Sequence, residues 1–405
     1  MPTRSPSFVR WPLVLGLTVA AAPVTNSQYA QFALLAAAAL YALRALRGGT
    51  IRRPSSVEVL LVLFAGYAIA SILWRDVSSG ASATTIFVEY VGLAAAFIVV
   101  VRTSGIRSNW YFLATCYIVG CCVDLILIFS AFKSGTTIDS AGRYGLANVN
   151  SNYTAYSLVS GVPLLVLLYW RRARRRLASS IALMVGMSTF GLGIGLTGCR
   201  GATVAFLLCV FVIAARGLKT RPLAGGLFTA SMAGVLVAGW SHVEDVLPSR
   251  LFLDASSAED LSSGRFTLWE RALVIFGRNP LLGSGADSYP WLSEDGMHAH
   301  NVFLSVLAEL GIIGLLLLVV ALALLFRSYF RSSASKSARS AALMLVCTWL
   351  VIAGTGVWQY ALPAWIMFGL FVTIPRDDAE FTVADGELTA RDRSLGWRLR
   401  NPTAS

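Results

Sequence analysis

Charge is what this sequence has least of. Only 13% of its 405 residues are Asp, Glu, Lys or Arg, about half the roughly 25% usual for soluble domains, so most of the chain has no means of facing water. Histidine is scarcer still, with three in the whole chain. No Asp-x-Asp pair occurs, which removes the device by which many nucleotide-sugar transferases carry a divalent cation. No P-loop occurs either, which argues against direct coupling to ATP hydrolysis. The six cysteines, Cys116, Cys121, Cys122, Cys199, Cys209 and Cys347, lie within or beside apolar runs. A thiol there behaves as a small hydrophobe, and no disulfide framework is implied.

Apolar length is what the chain has in abundance. Hydrophobic residues make up 56% of it. A membrane-spanning helix needs about 20 of them in succession, with a usual range of about 17–25. That pattern recurs about twelve times, over residues 11–24, 28–46, 57–74, 86–101, 110–132, 153–170, 179–197, 201–215, 222–240, 300–326, 340–356 and 360–374. The expected fold is an all-α polytopic membrane protein of about twelve transmembrane helices, with one large extracytoplasmic loop carrying a short amphipathic helix. Arg4 and Arg10 before the apolar stretch ending in Ala20-Ala21-Ala22 have the order of a signal peptide, but with so many spans behind them we read an uncleaved first helix.

Basic residues orient the spans, because they are retained on the cytoplasmic side during insertion. Arg4 and Arg10, then Arg44, Arg47, Arg52 and Arg53, then Arg102 and Arg107 occupy alternate connections. The series continues through Arg171 to Arg176, Arg216 to Arg221, and Arg327 to Arg339, while the intervening connections are nearly bare. Both termini are therefore expected in the cytoplasm. The chain divides into a bundle of about nine helices over 1–240, an extracytoplasmic loop over 241–299, about three more helices over 300–374, and a polar tail over 375–405 of disordered composition. The net charge of +12 is mostly this topology signal. Scattered among short loops, it does not describe a nucleic-acid surface.

The loop at 241–299 stands apart. It holds nine acidic and four basic residues, and all three histidines, His242, His298 and His300, lie in it or at its edge. Imidazole is the side chain suited to proton transfer near neutral pH, so placing every one of them here points to polar chemistry on that side of the membrane. Within the loop, Phe266, Trp269, Leu273 and Phe276 recur at helical spacing after Ser262-Ser263-Gly264 and stop at Asn279-Pro280. This reads as an amphipathic helix on the membrane surface, with Trp269 in the headgroup zone. Arg265 falls in its first turn, where a cation opposes the helix dipole; a bound anion or a salt bridge within the loop would each account for it. His298 and His300 are two apart with no third ligand at a zinc spacing, so no metal is expected.

Three other features are costly in a membrane. Arg200 stands between two apolar runs on the outward side, against the positive-inside trend, and calls for an anion such as a lipid-linked phosphate or a headgroup. Asp124 and Glu309 are carboxylates inside spans, expensive unless paired or lining a polar cavity. A second outward connection, Arg143 through Asn152, adds an arginine and three asparagines, Asn148, Asn150 and Asn152, a composition suited to hydroxyl-rich ligands.

In order along the chain, Arg143 through Asn152, Arg200-Gly201-Ala202, Ser263-Gly264-Arg265 with Trp269, Asn279-Pro280-Leu281-Leu282-Gly283-Ser284-Gly285, His300-Asn301-Val302-Phe303-Leu304 and Glu309-Leu310-Gly311-Ile312-Ile313-Gly314 resemble the O-antigen ligase and O-antigen polymerase superfamily of bacterial membrane glycosyltransferases. The resemblance implies a twelve-helix bundle, needing no metal or other cofactor, that transfers a glycan from undecaprenyl diphosphate to a hydroxyl on a lipid, glycan or protein acceptor. The reaction would take place on the outer face of the cytoplasmic membrane, with inversion at the anomeric carbon. By resemblance Arg200 and Arg265 hold the donor diphosphate and His300 is the general base; Arg143, Asn150 and His298 are candidate substrate contacts. The alternative is a transporter or flippase for a lipid-linked or anionic substrate, which buried Asp124, Glu309 and Arg200 would also suit. Such folds usually show two related halves, and none are visible here.

Overall fold

The computed structural model of the chain describes residues 10–25, 53–75, 82–138, 142–146, 149–172, 177–220, 264–293, 296–330 and 335–375, with isolated positions at 35–36, 39–40, 225–226 and 230. All regular structure among them is helical: α1 (Arg10–Val24), α2 (Ser56–Ala70), α3 (Ala83–Ser104), α4 (Arg107–Ser134), α5 (Ser151–Arg172), α6 (Leu177–Leu196), α7 (Arg200–Thr220), α8 (Arg265–Arg278), α9 (Tyr289–Leu292), α10 (Val302–Phe330), α11 (Lys336–Thr355) and α12 (Leu362–Val372). Seven are long and apolar enough to cross a membrane, namely α2 with the 3-10 turn that extends it to Trp74, α3, α4, α5, α7, α10 and α11; α1, α6 and α12 are shorter apolar helices. This is a multi-pass membrane protein. Two expected spans, 28–46 and 222–240, lie almost wholly outside the described residues. The loop segment 241–263 with His242, and the tail beyond residue 375, are also outside them.

The helices begin where the sequence offers caps. Ser55 and Glu58 form a reciprocal capping box at the start of α2, the Ser55 hydroxyl accepting from the Glu58 N–H at 3.3 Å and the Glu58 carboxylate accepting from the Ser55 N–H at 3.1 Å. The same carboxylate pairs with Arg102 at 2.7 Å, tying the first turn of α2 to the last turn of α3. In the bundle, α1 packs on α4, α10 on α2, α12 on α3, and α11 on both α7 and α5. Residues of α12 from Leu362 to Phe371 are all buried, so this short helix sits inside the bundle rather than at its edge. Its neighbours hold it by polar as well as apolar contacts, the Trp110 indole donating to the Leu370 carbonyl at 2.8 Å. Large apolar side chains left exposed along the flanks, such as Leu63, Val119, Ile126, Val185 and Phe211, belong against lipid.

Helix α10 is not continuous. Gly311 takes φ 62° and ψ −167° within it, a conformation open to glycine and strained for other residues. The break frees carbonyls of the preceding turn, and the loop after α8 uses them: the N–H of Ser284 donates to Ala308 at 3.1 Å and that of Gly285 to Glu309 at 2.8 Å. In return the N–H of Ile312 donates to Pro280 at 2.9 Å. A Cβ on Gly283 would strike the Glu309 carbonyl and the Gly311 nitrogen, and one on Gly311 would strike Leu281 and Gly283. The two glycine-bearing motifs noted in the sequence therefore meet backbone to backbone.

Candidate active site

The helices above leave a cavity of about 290 Å³ at one end of the bundle, lined by Glu89, Asn150, Asn152, Tyr153, Tyr156, Asp287, His298, His300, Gly356, Val357, Trp358, Tyr360 and Ala361. It joins three of the candidate residues, Asn150, His298 and His300.

His300 lies just before α10. Asn301 caps that helix, its side-chain oxygen accepting from the N–H groups of Phe303 at 3.0 Å and Leu304 at 3.1 Å. His300 therefore precedes the helix instead of opening it. It has φ 49° and Asp287 has φ 56°; these are the two non-glycine residues in the left-handed region among the described residues, and both line the cavity. Backbone held in that region is costly and concentrates where function requires it.

The histidine segment is held from α8. The apolar face of α8 buries Leu268, Ala272 and Ile275, and Ala272 and Ile275 form a small second core with Tyr289, Ala299 and Ala308. The Trp269 indole N–H donates to the carbonyl of Ala299 at 3.1 Å. The tryptophan expected in the headgroup zone thus spends its polar atom on the residue between the two histidines. Tyr289 adds a hydrogen bond from its hydroxyl to the Leu268 carbonyl at 2.6 Å.

Beneath the cavity the carboxylates have partners that the sequence could not name. Glu309 accepts from the Tyr360 hydroxyl and from the Tyr289 N–H at 3.4 Å. Asp287 pairs with Arg75 at 3.8 Å, and Arg75 also donates to the Asp287 carbonyl at 3.0 Å. Burial raises the Asp287 carboxyl above its ordinary value, while His298 and Arg75 work the other way. Burial lowers His298, opposed by Asp287. The Nδ1 atom of His298 is buried without a hydrogen-bond partner, and its ring lies 6.1 Å from that of Tyr360.

On the opposite wall Asn150 caps α5, its side-chain oxygen accepting from the Asn152 N–H at 2.8 Å, which leaves its amide hydrogens to the cavity. Tyr156 of α5 donates to the Thr355 carbonyl at 2.9 Å. Close to this tyrosine lies Arg265. Arg265 is within electrostatic reach of Tyr156 and Cys199, and Arg143 of Cys199. Arg200 follows Cys199 directly and begins α7; a Cβ on Gly201 would collide with the Thr355 side chain. Arg265 likewise begins α8, after Gly264 at φ 74°. Each helix thus opens on an arginine at the end where the dipole is positive, which favours anions. Arg143 faces a second, more open cavity of about 920 Å³ that shares Asn150 and carries the hydroxyls of Ser130, Ser134, Thr136, Thr137 and Ser151. Among the described residues no three His, Cys, Asp or Glu side chains stand together as a metal site would need.

A family model described as O-antigen ligase matches residues 185–319. That stretch is similar to an O-antigen ligase domain. No curated protein matches the sequence. The ligase domain contains Arg200, Arg265, Asp287, His298, His300 and Glu309, whereas Glu89, Arg143, Asn150, Tyr153, Tyr156, Trp358 and Tyr360 come from outside it. With its membrane-length helices, the protein is a membrane protein in which the stretch 185–319 is similar to O-antigen ligases. Glu89, Asp287 and the aromatic wall were not singled out in the sequence. Glu89 is one carboxylate near the start of an apolar run, and the left-handed backbone at Asp287 has no sequence signature.

Proposed function

We propose that the protein is an inverting, metal-independent glycosyltransferase that moves a glycan from undecaprenyl diphosphate to an acceptor hydroxyl at the outer face of the cytoplasmic membrane. The observation that carries this reading is the place of His300, held in strained backbone in a cavity whose Tyr156 wall lies within reach of Arg265. Arg200 and Arg265 hold the donor diphosphate. His300 takes the proton of the acceptor hydroxyl as that oxygen forms its bond to the anomeric carbon. The bond from that carbon to the phosphate oxygen breaks, and the electron pair leaves with undecaprenyl diphosphate. Charge gathers on the diphosphate as it departs, and fixed guanidinium groups stabilise it where a metal would otherwise be needed. Arg143, Asn150 and His298 contact the sugars of donor or acceptor.

The test is turnover of a purified undecaprenyl diphosphate oligosaccharide by the detergent-solubilised protein, wild type against His300→Ala and Arg265→Ala. Transfer with release of undecaprenyl diphosphate is expected of wild type. The histidine variant should bind donor without turning it over, and the arginine variant should bind it more weakly. Equal turnover by all three would remove the site assignment. Protein-dependent passage of the lipid-linked glycan across a vesicle membrane without transfer would favour a transporter.

A further inference from the structure

One residue of the cavity has no part in the mechanism above. Glu89, on α3, lines it with a half-buried carboxylate, and among the described residues that carboxylate has no hydrogen-bond or ion-pair partner. It lies close enough to Asp287 for the two charges to act on each other. Asp287 is offset by Arg75 at 3.8 Å; Glu89 is not offset in that way. Among the described residues the lining contains no lysine or arginine, and its remaining polar groups are asparagines, tyrosine and tryptophan rings and two histidines. Arg265 stands near Tyr156 and Cys199, and Arg143 near Cys199, where the donor diphosphate would neutralise them. The site is thus divided into a cationic rim and a carboxylate-lined interior. At about 290 Å³ the interior lies near the lower limit of small-ligand cavities, so it has room for one sugar ring against Tyr153, Tyr156 and Trp358.

Resting on the transferase reading, we infer that this interior is the acceptor subsite, that Glu89 binds hydroxyl or amino groups of the acceptor sugar, and that it discriminates against sugars carrying a carboxylate or phosphate. A carboxylate is the strongest acceptor a sugar hydroxyl can meet among side chains. An anionic sugar would bring like charge beside Glu89 and Asp287, at a cost of roughly tenfold or more in affinity.

Saturation-transfer NMR on the full-length protein in detergent tests this without requiring turnover, so its failure and that of the transferase reading are separable. The probes are methyl glucoside, methyl glucosaminide and methyl glucuronide, which share one ring and differ in charge. At about pH 8.5, where the carboxylates carry their charge, wild type should bind the glucoside and glucosaminide and should bind the glucuronide about tenfold more weakly or worse. Glu89→Gln should narrow that gap, and Glu89→Lys should reverse it, with thermal unfolding confirming that each variant is folded. If Glu89→Lys does not fold, the glutamine variant decides alone, since a side chain of equal size moves the ratio only if charge sets it. Equal binding of glucoside and glucuronide by wild type overturns the inference. So does a ratio unchanged by the variants, and so does binding of none of the three probes.

Discussion

Gly283 and Gly311 meet face to face, each occupying the space into which a side chain on the other would project. Both have left-handed φ, 74° and 62°, so two independent reasons forbid a Cβ at either position. Gly283→Ala or Gly311→Ala should each cost about 2–4 kcal/mol from backbone strain and overpacking together. Thermal unfolding in detergent measures this, and a loss of less than about 0.5 kcal/mol, the range of ordinary surface changes, would show that the loop does not press on the helix break.

Trp269 acts on the histidine segment through one hydrogen bond, to Ala299. Trp269→Phe keeps the ring and removes the donor. Turnover is expected to fall about tenfold through misplacement of His300, while the KM for donor stays within about twofold, since the donor's arginines are untouched. A parallel rise in KM would mean that the tryptophan serves donor binding instead.

The Arg102 and Glu58 pair lies away from the cavity and is a matter of stability. Its side chains are 13% and 4% exposed, so removing one partner strands a buried charge. Arg102→Gln should destabilise by about 3–5 kcal/mol, and adding Glu58→Gln should recover most of it. Additive losses in the double variant would show that the two do not interact.

Burial lowers His298, which fixes the sign of a pH effect. On acidification the unfolded chain takes up this proton first, so stability rises with pH between the lowered folded value and about 6.5, and is level above it. Asp287 contributes in the opposite sense: its raised folded value makes stability fall as pH rises through the window above about 3.9. These opposing contributions are separated by comparison with His298→Gln: between about pH 7 and 5, the melting temperature of wild type should fall more on acidification, or rise less, than that of the variant. Identical slopes would mean that His298 is not held neutral.

The bundle was legible because membrane helices are written locally, as uninterrupted apolar runs, and ten of the twelve expected runs coincide with described helices. The three arginines and His300 drew notice because each is costly or rare where it stands, and the structure brings His300 to the cavity wall. What stayed hidden depends on distance along the chain. Glu309 finds its hydroxyl partner 51 residues on, at Tyr360. The run from 300 to 326 looked like one continuous helix, whereas the break at Gly311 is stabilised by a loop that precedes it by about thirty positions. Asn301 was noted only as part of a family-like stretch, and the structure gives it the work of a helix cap.

The cavity walls come from different parts of the chain. Residues 185–319 supply the histidines and Asp287, but Glu89, Asn150, Tyr153, Tyr156, Trp358 and Tyr360 are contributed by helices before and after that stretch. Grafting residues 185–319 into another bundle would transplant the histidines and Asp287 and leave behind the walls that face them. On the proposed function, changes in the flanking helices would retune the choice of sugar while the chemistry stays as it is.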